Sequence, residues 1–265
     1  MDAVLATLVK CLDYRKLPAT TVIPWSSPIP SFGDLSRSKV ATLGLNPSNR
    51  EFVDGAGHEL DGPHRRFHTL KSLGLRRWGD ANARDLRLII DSCFGYFRRN
   101  PYDEWFGKLD YVMSGTRASY YESSVRACHL DLVPYATTLK WTALANAKRM
   151  SLLATAGSTL GTLLRDSPVR LLILNGRFVV KRFEEVAGVR LEKRVMPEWS
   201  LSRQRRPVVG VAYSGAIRKL GGVILEREIV ALGFNHNIQS SFGVTRAALS
   251  GIRQWIAQAA SRVLS

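Results

Sequence analysis

Two short polar stretches hold the residues best suited to chemistry. The first is Asn46-Pro47-Ser48-Asn49, which follows the apolar run Lys39–Leu45, KVATLGL. Proline after Asn46 fixes a turn immediately beyond that run. An asparagine held there can orient a water by hydrogen bonds, or it can cap its own backbone as an Asx-turn. The second stretch is Asn235-His236-Asn237-Ile238-Gln239-Ser240-Ser241-Phe242-Gly243. A neutral imidazole flanked by amides can donate one N–H to a developing anion, or it can be an ordinary surface histidine.

Other familiar chemistries lack their spacing. GLNPSN does not end in the G-K-[ST] of a phosphate loop, and no G-x-G-x-x-G follows the strand. No G-x-S-x-G elbow occurs, so a serine triad has no support. The five histidines, His58, His64, His68, His129 and His236, include no H-E-x-x-H. His64 and His68 are four apart but have no helical carboxylate beside them, so neither a metal nor another cofactor is expected. Cys11, Cys93 and Cys128 are too far apart for metal-ligand spacing, and an odd count makes a poor disulfide framework. A reducing, intracellular setting is the expectation.

The elements that must position these residues follow from periodicity. Residues 1–16 read as an amphipathic helix with Leu5, Leu8 and Leu12 on one side, followed by a proline-rich connector to residue 37. Lys39–Leu45, Ala127–Val133, Val169–Leu174 and Pro207–Tyr213 read as four buried strands. Helical patterns occupy Ala83–Phe97, Leu144–Leu164, Arg177–Val186, Leu220–Ala231 and Thr245–Val263, with Thr245 as N-cap. NPYDEWFGKLDYVMSG reads as an aromatic loop over a cleft, and residues 190–206 as a minor linker or hairpin.

Alternation of strands and helices predicts a three-layer α/β/α sandwich around a mainly parallel four-stranded sheet. Ligands bind such sheets outside the carboxyl ends of the strands. Asn46, Asp131, Asn175 and the Asn235–Ser241 run all follow strands, so they are expected to meet in one crevice.

The chain has 265 residues, 45% hydrophobic and 23% charged, which suits one folded domain over 1–265 and a monomer. Its 38 Lys and Arg against 22 Asp and Glu give a net charge of +16. That excess attracts a polyanion, and its spread along the chain favours a folded basic face over a disordered arm. No run of 18 uncharged apolar residues suggests a membrane span, and the charged N-terminus does not read as a signal peptide.

Five pieces of the chain, taken together, carry a family likeness. They are Gly44-Leu45-Asn46-Pro47, Arg66-Phe67-His68, His129-Leu130-Asp131-Leu132-Val133-Pro134, Asn175-Gly176-Arg177-Phe178, and His236 followed by serines. In order and spacing they resemble the uracil-DNA glycosylase superfamily, nearest its mismatch-specific and single-strand-selective branches. The likeness spans residues 38 to 258. It implies the sandwich fold, no cofactor, and hydrolysis of the bond between uracil, or a related deaminated base, and its sugar after the nucleotide is flipped out of DNA. Asn46 would then position the attacking water and His236 would stabilise the departing base. Phe67 would stack on the base. Gly44, Leu45, Pro47, Asp131, Asn175 and Asn237 would line the pocket. Ser240, Ser241, Phe242, Arg246, Arg203, Arg205 and Arg206 would hold or wedge the DNA. The protein would work beside DNA, in the cytoplasm at the nucleoid or in a nucleus.

Two residues depart from the family pattern. Asp131 stands where an asparagine is usual, and Asn237 where a proline follows the histidine. A carboxylate only accepts hydrogen bonds and faces uracil O4 unfavourably. Either it bonds N3–H or a backbone group alone, or the base is not uracil, or the register differs. A non-catalytic DNA-binding protein of the same fold, a nucleotide-processing enzyme and a scaffold are the alternatives.

Overall fold

The computed structural model describes residues 1–13, 17, 21–99, 103–121, 124–202, 207–239 and 243–264. Seven strands form one sheet: β1 (Val40–Gly44), β2 (Ala118–Ser119), β3 (Val125–Asp131), β4 (Leu171–Asn175), β5 (Glu192–Leu201), β6 (Val208–Leu220) and β7 (Val223–Phe234). Their order is β2-β3-β1-β4-β7-β6-β5. The contacts from β2 through β7 are parallel, whereas β6 and β5 are added antiparallel.

Eight helices surround it: α1 (Asp2–Asp13), α2 (Leu70–Leu73), α3 (Ala83–Phe94), α4 (Tyr96–Arg99), α5 (Asp103–Met113), α6 (Asn146–Arg165), α7 (Arg177–Ala187) and α8 (Arg246–Leu264), counted among the described residues. Successive strand residues point to opposite faces. Val40, Leu171, Ile173, Leu232 and Phe234 therefore pack with α3, α5 and α8. Ala41, Leu43, Leu172, Leu174 and Ala231 pack with α6 and α7. β1 and β4 are buried along their whole length, as expected of parallel strands covered on both sides. The Thr245 hydroxyl accepts from the Ala248 N–H and caps α8.

The mixed seven-stranded sheet overturns the expected mainly parallel four-stranded one. Four elements differ from the sequence pattern: α5 stands where an aromatic loop is expected, β5 lies within the 190–206 stretch expected as a linker or hairpin, and β6 and β7 depart as follows. Pro207–Tyr213 reads as the last parallel strand, but β6 runs antiparallel and continues to Leu220. Leu220–Ala231 reads as a helix, but most of it is β7. Leu225 and Ile229 are both buried, and a spacing of four places two residues on one face of a helix and of a strand alike. The discriminating signal is Gly221-Gly222, with φ of 55° and 85°, the two consecutive positive values of a tight hairpin turn.

That turn also seats the hairpin on α6, because a Cβ at Gly221 would lie 1.7 Å from the Gly157 carbonyl oxygen. Gly221→Ala should destabilise the fold by roughly 3 kcal/mol through overpacking against backbone. A urea midpoint equal to that of the wild type would contradict this seating.

Candidate functional site

Parallel pairing brings the ends of β1, β3 and β4 to one level. Gly44 pairs with Asp131, Leu43 with Leu174, and Asn175 with Phe234. A cleft of about 390 Å³ opens beyond these ends. Its walls are the Gly44–Asn49 turn, Glu51, His129, Asp131, Asn175, Asn237 and Gln239, with Phe32, Trp105, Phe106 and Trp141 as aromatic surface. Phe32 arrives because the connector runs beside β3, exchanging backbone hydrogen bonds of 2.8 and 2.9 Å with His129. Trp105 and Phe106 come from α5, inside the stretch read from sequence as an aromatic loop.

Asn46 is fastened by its amino group. Nδ2 donates to Pro47 O at 2.9 Å and to Thr137 Oγ1 at 3.0 Å, with Tyr135 O at 3.5 Å. The NH2 hydrogens are spent on the protein, so Oδ1 is the atom able to accept from a ligand or water.

Asp131 closes a buried polar chain. Its Oδ1 lies 3.5 Å from His129 Nε2. His129 Nδ1 lies 2.7 Å from Thr42 Oγ1, which also bonds the Tyr120 hydroxyl. A bare Nε2 facing a carboxylate would be repulsive, so the favoured tautomer carries its hydrogen there. Thr42 then donates to Nδ1 and Tyr120 donates to Thr42. Gly44 makes room for this arrangement. A Cβ there would sit 2.4 Å from Asp131 Oδ1 and 3.0 Å from His129 Nε2.

Asn175 and Gln239 form a second chain. Gln239 Nε2 donates to Trp105 O at 3.4 Å, and Asn175 Nδ2 donates to Gln239 Oε1. Asn175 Oδ1 is buried without a hydrogen-bond partner among the described residues. On the outer wall, Asn237 Oδ1 accepts from the Gln239 N–H at 3.2 Å, which leaves its amino group as a donor.

Glu51 is a site residue that sequence reasoning missed. It is 4% exposed, accepts from the Tyr96 hydroxyl at 3.0 Å and pairs with Arg66 at 3.6 Å. Burial pushes its pKa up to about 7; Arg66 and Tyr96 pull it down and nearby Asp131 pushes it further up. The signal was present as Ser48-x-x-Glu51, which reads as a helix-capping pattern. Ser48 does cap the Asn49–Glu51 turn, but the Glu51 carboxyl turns inward to Tyr96.

Of the expected site residues, Gly44, Leu45, Asn46, Pro47, Asp131, Asn175 and Asn237 line this cleft. Phe67 and His236 do not. Phe67 is 1% exposed, stacked on Tyr96 at 5.2 Å and edge-on to Phe32, so it has no face for a base. Phe32 and Phe106 line the cleft but are nearly as buried as Phe67, so the available aromatic surface is that of half-buried Trp105. His236 is also buried, and its Nε2 donates to Trp199 O at 2.7 Å, beneath the site and away from its lining. Isoleucine at 238 shares this burial, drawing the loop inward. Arg246 is exposed at the first residue of α8. Arg203, Arg205, Arg206, Ser240, Ser241 and Phe242 lie outside the described residues.

A scan against known protein-family models finds no match for this chain, and a search of curated proteins finds none either. Among the described residues, no group of three or more His, Cys, Asp and Glu side chains is arranged to hold a metal ion, and no helix is long and apolar enough to cross a membrane.

Two outcomes follow from the packing and charge. Gly44→Ala should drive the Asp131 carboxylate off its seat at a cost of about 1–3 kcal/mol. An unchanged denaturation midpoint together with an unchanged ligand affinity would contradict that role. Folded Glu51 keeps its proton to about pH 7, whereas a free glutamate gives its proton up at 4.5. Folding therefore weakens as pH rises from about 4.5 to about 7. Glu51→Gln should raise Tm at pH 8 and leave it unchanged at pH 4; equal Tm values at pH 8 would contradict the burial argument.

Proposed function

We propose that the protein hydrolyses the N-glycosidic bond between a damaged base and its sugar in DNA, uracil being the first base to try. The observation that carries this reading is one cleft lined by Asn46, Glu51, aromatic side chains and the polar ends of neighbouring strands. Such a cleft suits a flat heterocycle whose edge is read by side-chain hydrogen bonds.

Asn46 Oδ1 and Glu51 hold the attacking water. Water oxygen bonds to the sugar C1′ while the C1′–N bond breaks, and that electron pair leaves with the base. The water proton passes to Glu51, whose buried carboxyl ionises close to neutrality and is thus matched to a general base. Half-buried Trp105 supplies the apolar surface against which the base stacks. Asn237 and Lys140 are the hydrogen-bond donors at the wall.

The charge of +16 supports a polynucleotide over a neutral nucleoside. A second cavity, of about 640 Å³, is lined by His64, Arg65, Arg66 and Arg99 and shares Tyr96 and Arg66 with the surroundings of Glu51. It offers a phosphate cradle next to the place where the sugar would lie. A DNA substrate would place the protein at the nucleoid or in a nucleus.

The test is base release from oligonucleotides carrying uracil, hypoxanthine, xanthine or an alkylated purine, read by alkaline cleavage of the abasic product. Turnover should rise with pH through about 7. Asn46→Ala and Glu51→Gln should each lower kcat by ~100-fold or more while sparing DNA affinity, and the glutamine variant should lose the pH dependence. Absence of release from every one of these bases would sink the reading.

A further inference from the structure

We infer that the cleft selects a base presenting a row of N–H donors, the edge of guanine, and that its substrate is guanine alkylated at N7. The chemistry rests on the glycosidase reading; the recognition rests on two acceptors built into the wall.

The first acceptor is Asn175 Oδ1. A backbone carbonyl can only accept, so the contact to Trp105 O requires Gln239 to present its amino group there. Gln239 Oε1 must then face Asn175, and Asn175 must answer with Nδ2. One carbonyl thereby fixes the orientation of two amides. What remains is the Asn175 oxygen, on the cleft wall, in a residue 8% exposed, with no partner among the described residues. An unpaired buried acceptor is costly to the fold, so a ligand that brings a donor to it is favoured.

The second acceptor is Asp131. It stands on the other side of β1 from Asn175, so the two strands carrying them are about 9.6 Å apart and both residues line the same cleft. The Tyr120–Thr42–His129 chain delivers a hydrogen toward Oδ1.

Uracil offers one N–H between two carbonyl oxygens, so at least one wall oxygen would face an oxygen. The amines of adenine and cytosine each lie next to a ring nitrogen that accepts. Guanine alone among these bases aligns a ring N–H with both hydrogens of its 2-amino group. A carboxylate can take the first two of those three donors and the Asn175 oxygen the third.

Charge narrows the class further. Two carboxyl groups, Asp131 and Glu51, sit in the cleft, and His236, expected to meet an anionic leaving base, is bonded to Trp199. This environment disfavours a departing anion and favours a cation. Alkylation at N7 makes guanine cationic and leaves its donor edge intact. As the C1′–N9 bond breaks, its electron pair neutralises the imidazolium, and a neutral alkylguanine leaves. Water supplies the new C1′–O bond, and its proton goes to Glu51.

The experiment pairs base release from duplex oligonucleotides containing 7-methylguanine or uracil with binding of 7-methylguanosine or uridine, followed by tryptophan fluorescence. Release of 7-methylguanine should exceed that of uracil by at least tenfold, and 7-methylguanosine should bind at least tenfold more tightly than uridine. Asp131→Asn, which exchanges an acceptor for a donor, should reverse or erase the preference. Asn175→Ala should weaken 7-methylguanosine alone, with circular dichroism verifying the fold of both variants. Faster uracil release would overturn this inference and leave the glycosidase reading standing. Selective 7-methylguanosine binding without release of any base would do the reverse. Equal binding of the two nucleosides, indifferent to both substitutions, would overturn the recognition outright.

Discussion

The site depends on a missing side chain. Gly44 ends β1 opposite Asp131, and any Cβ there would meet the carboxylate at 2.4 Å. With hydrogen in that place, Asp131 and His129 fold over the end of β1 and complete the buried chain to Thr42 and Tyr120. Thr42 belongs to β1 itself, two residues earlier, so one strand supplies both the space for the carboxylate and the hydroxyl that orients its histidine. The parallel register then decides what stands across from it. β4 lies on the far side of β1 and ends at Asn175. A sheet with β1 at an edge would have no second wall.

Charge acts at two ranges in this protein. The net +16 is a property of the whole surface and draws phosphate from a distance within the screening length. The cleft differs locally, with two carboxyl groups and an amide oxygen that has no partner among the described residues. These do not cancel, because a buried group responds to neighbours a few ångströms away through a poorly polarisable medium, while surface arginines are screened by solvent. Arg66 joins the two regimes. It touches Glu51 and also lines the basic cavity next door.

Much of the site was legible in the sequence because strand ends are legible. Asn46 follows a short apolar run with a proline behind it, and Asp131 and Asn175 each close a hydrophobic strand. Parallel topology then brings such positions together irrespective of their separation along the chain. The antiparallel extension was not legible by the same means, since burial every fourth residue fits a helix and a strand equally. Phe67 and His236 lie outside the cleft lining for another reason. Their motif neighbours match a pattern, but burial is decided by the whole chain. Phe67 enters a ring cluster with Phe32, Phe52 and Tyr96 that its neighbours in sequence do not reveal. Trp105 was hidden by the opposite error, since an aromatic, turn-like composition masked a helix.

The two acids of the cleft are best understood as a coupled pair with divided roles. Asp131 has a histidine N–H beside it, whereas Glu51 is buried against a tyrosine and a single arginine. The Asp131 charge is itself one of the influences that raise Glu51. A ligand that satisfies Asp131 with donors, and still more one that carries positive charge, offsets that influence. Burial remains the largest influence on Glu51, which is why its carboxyl is held up to about 7.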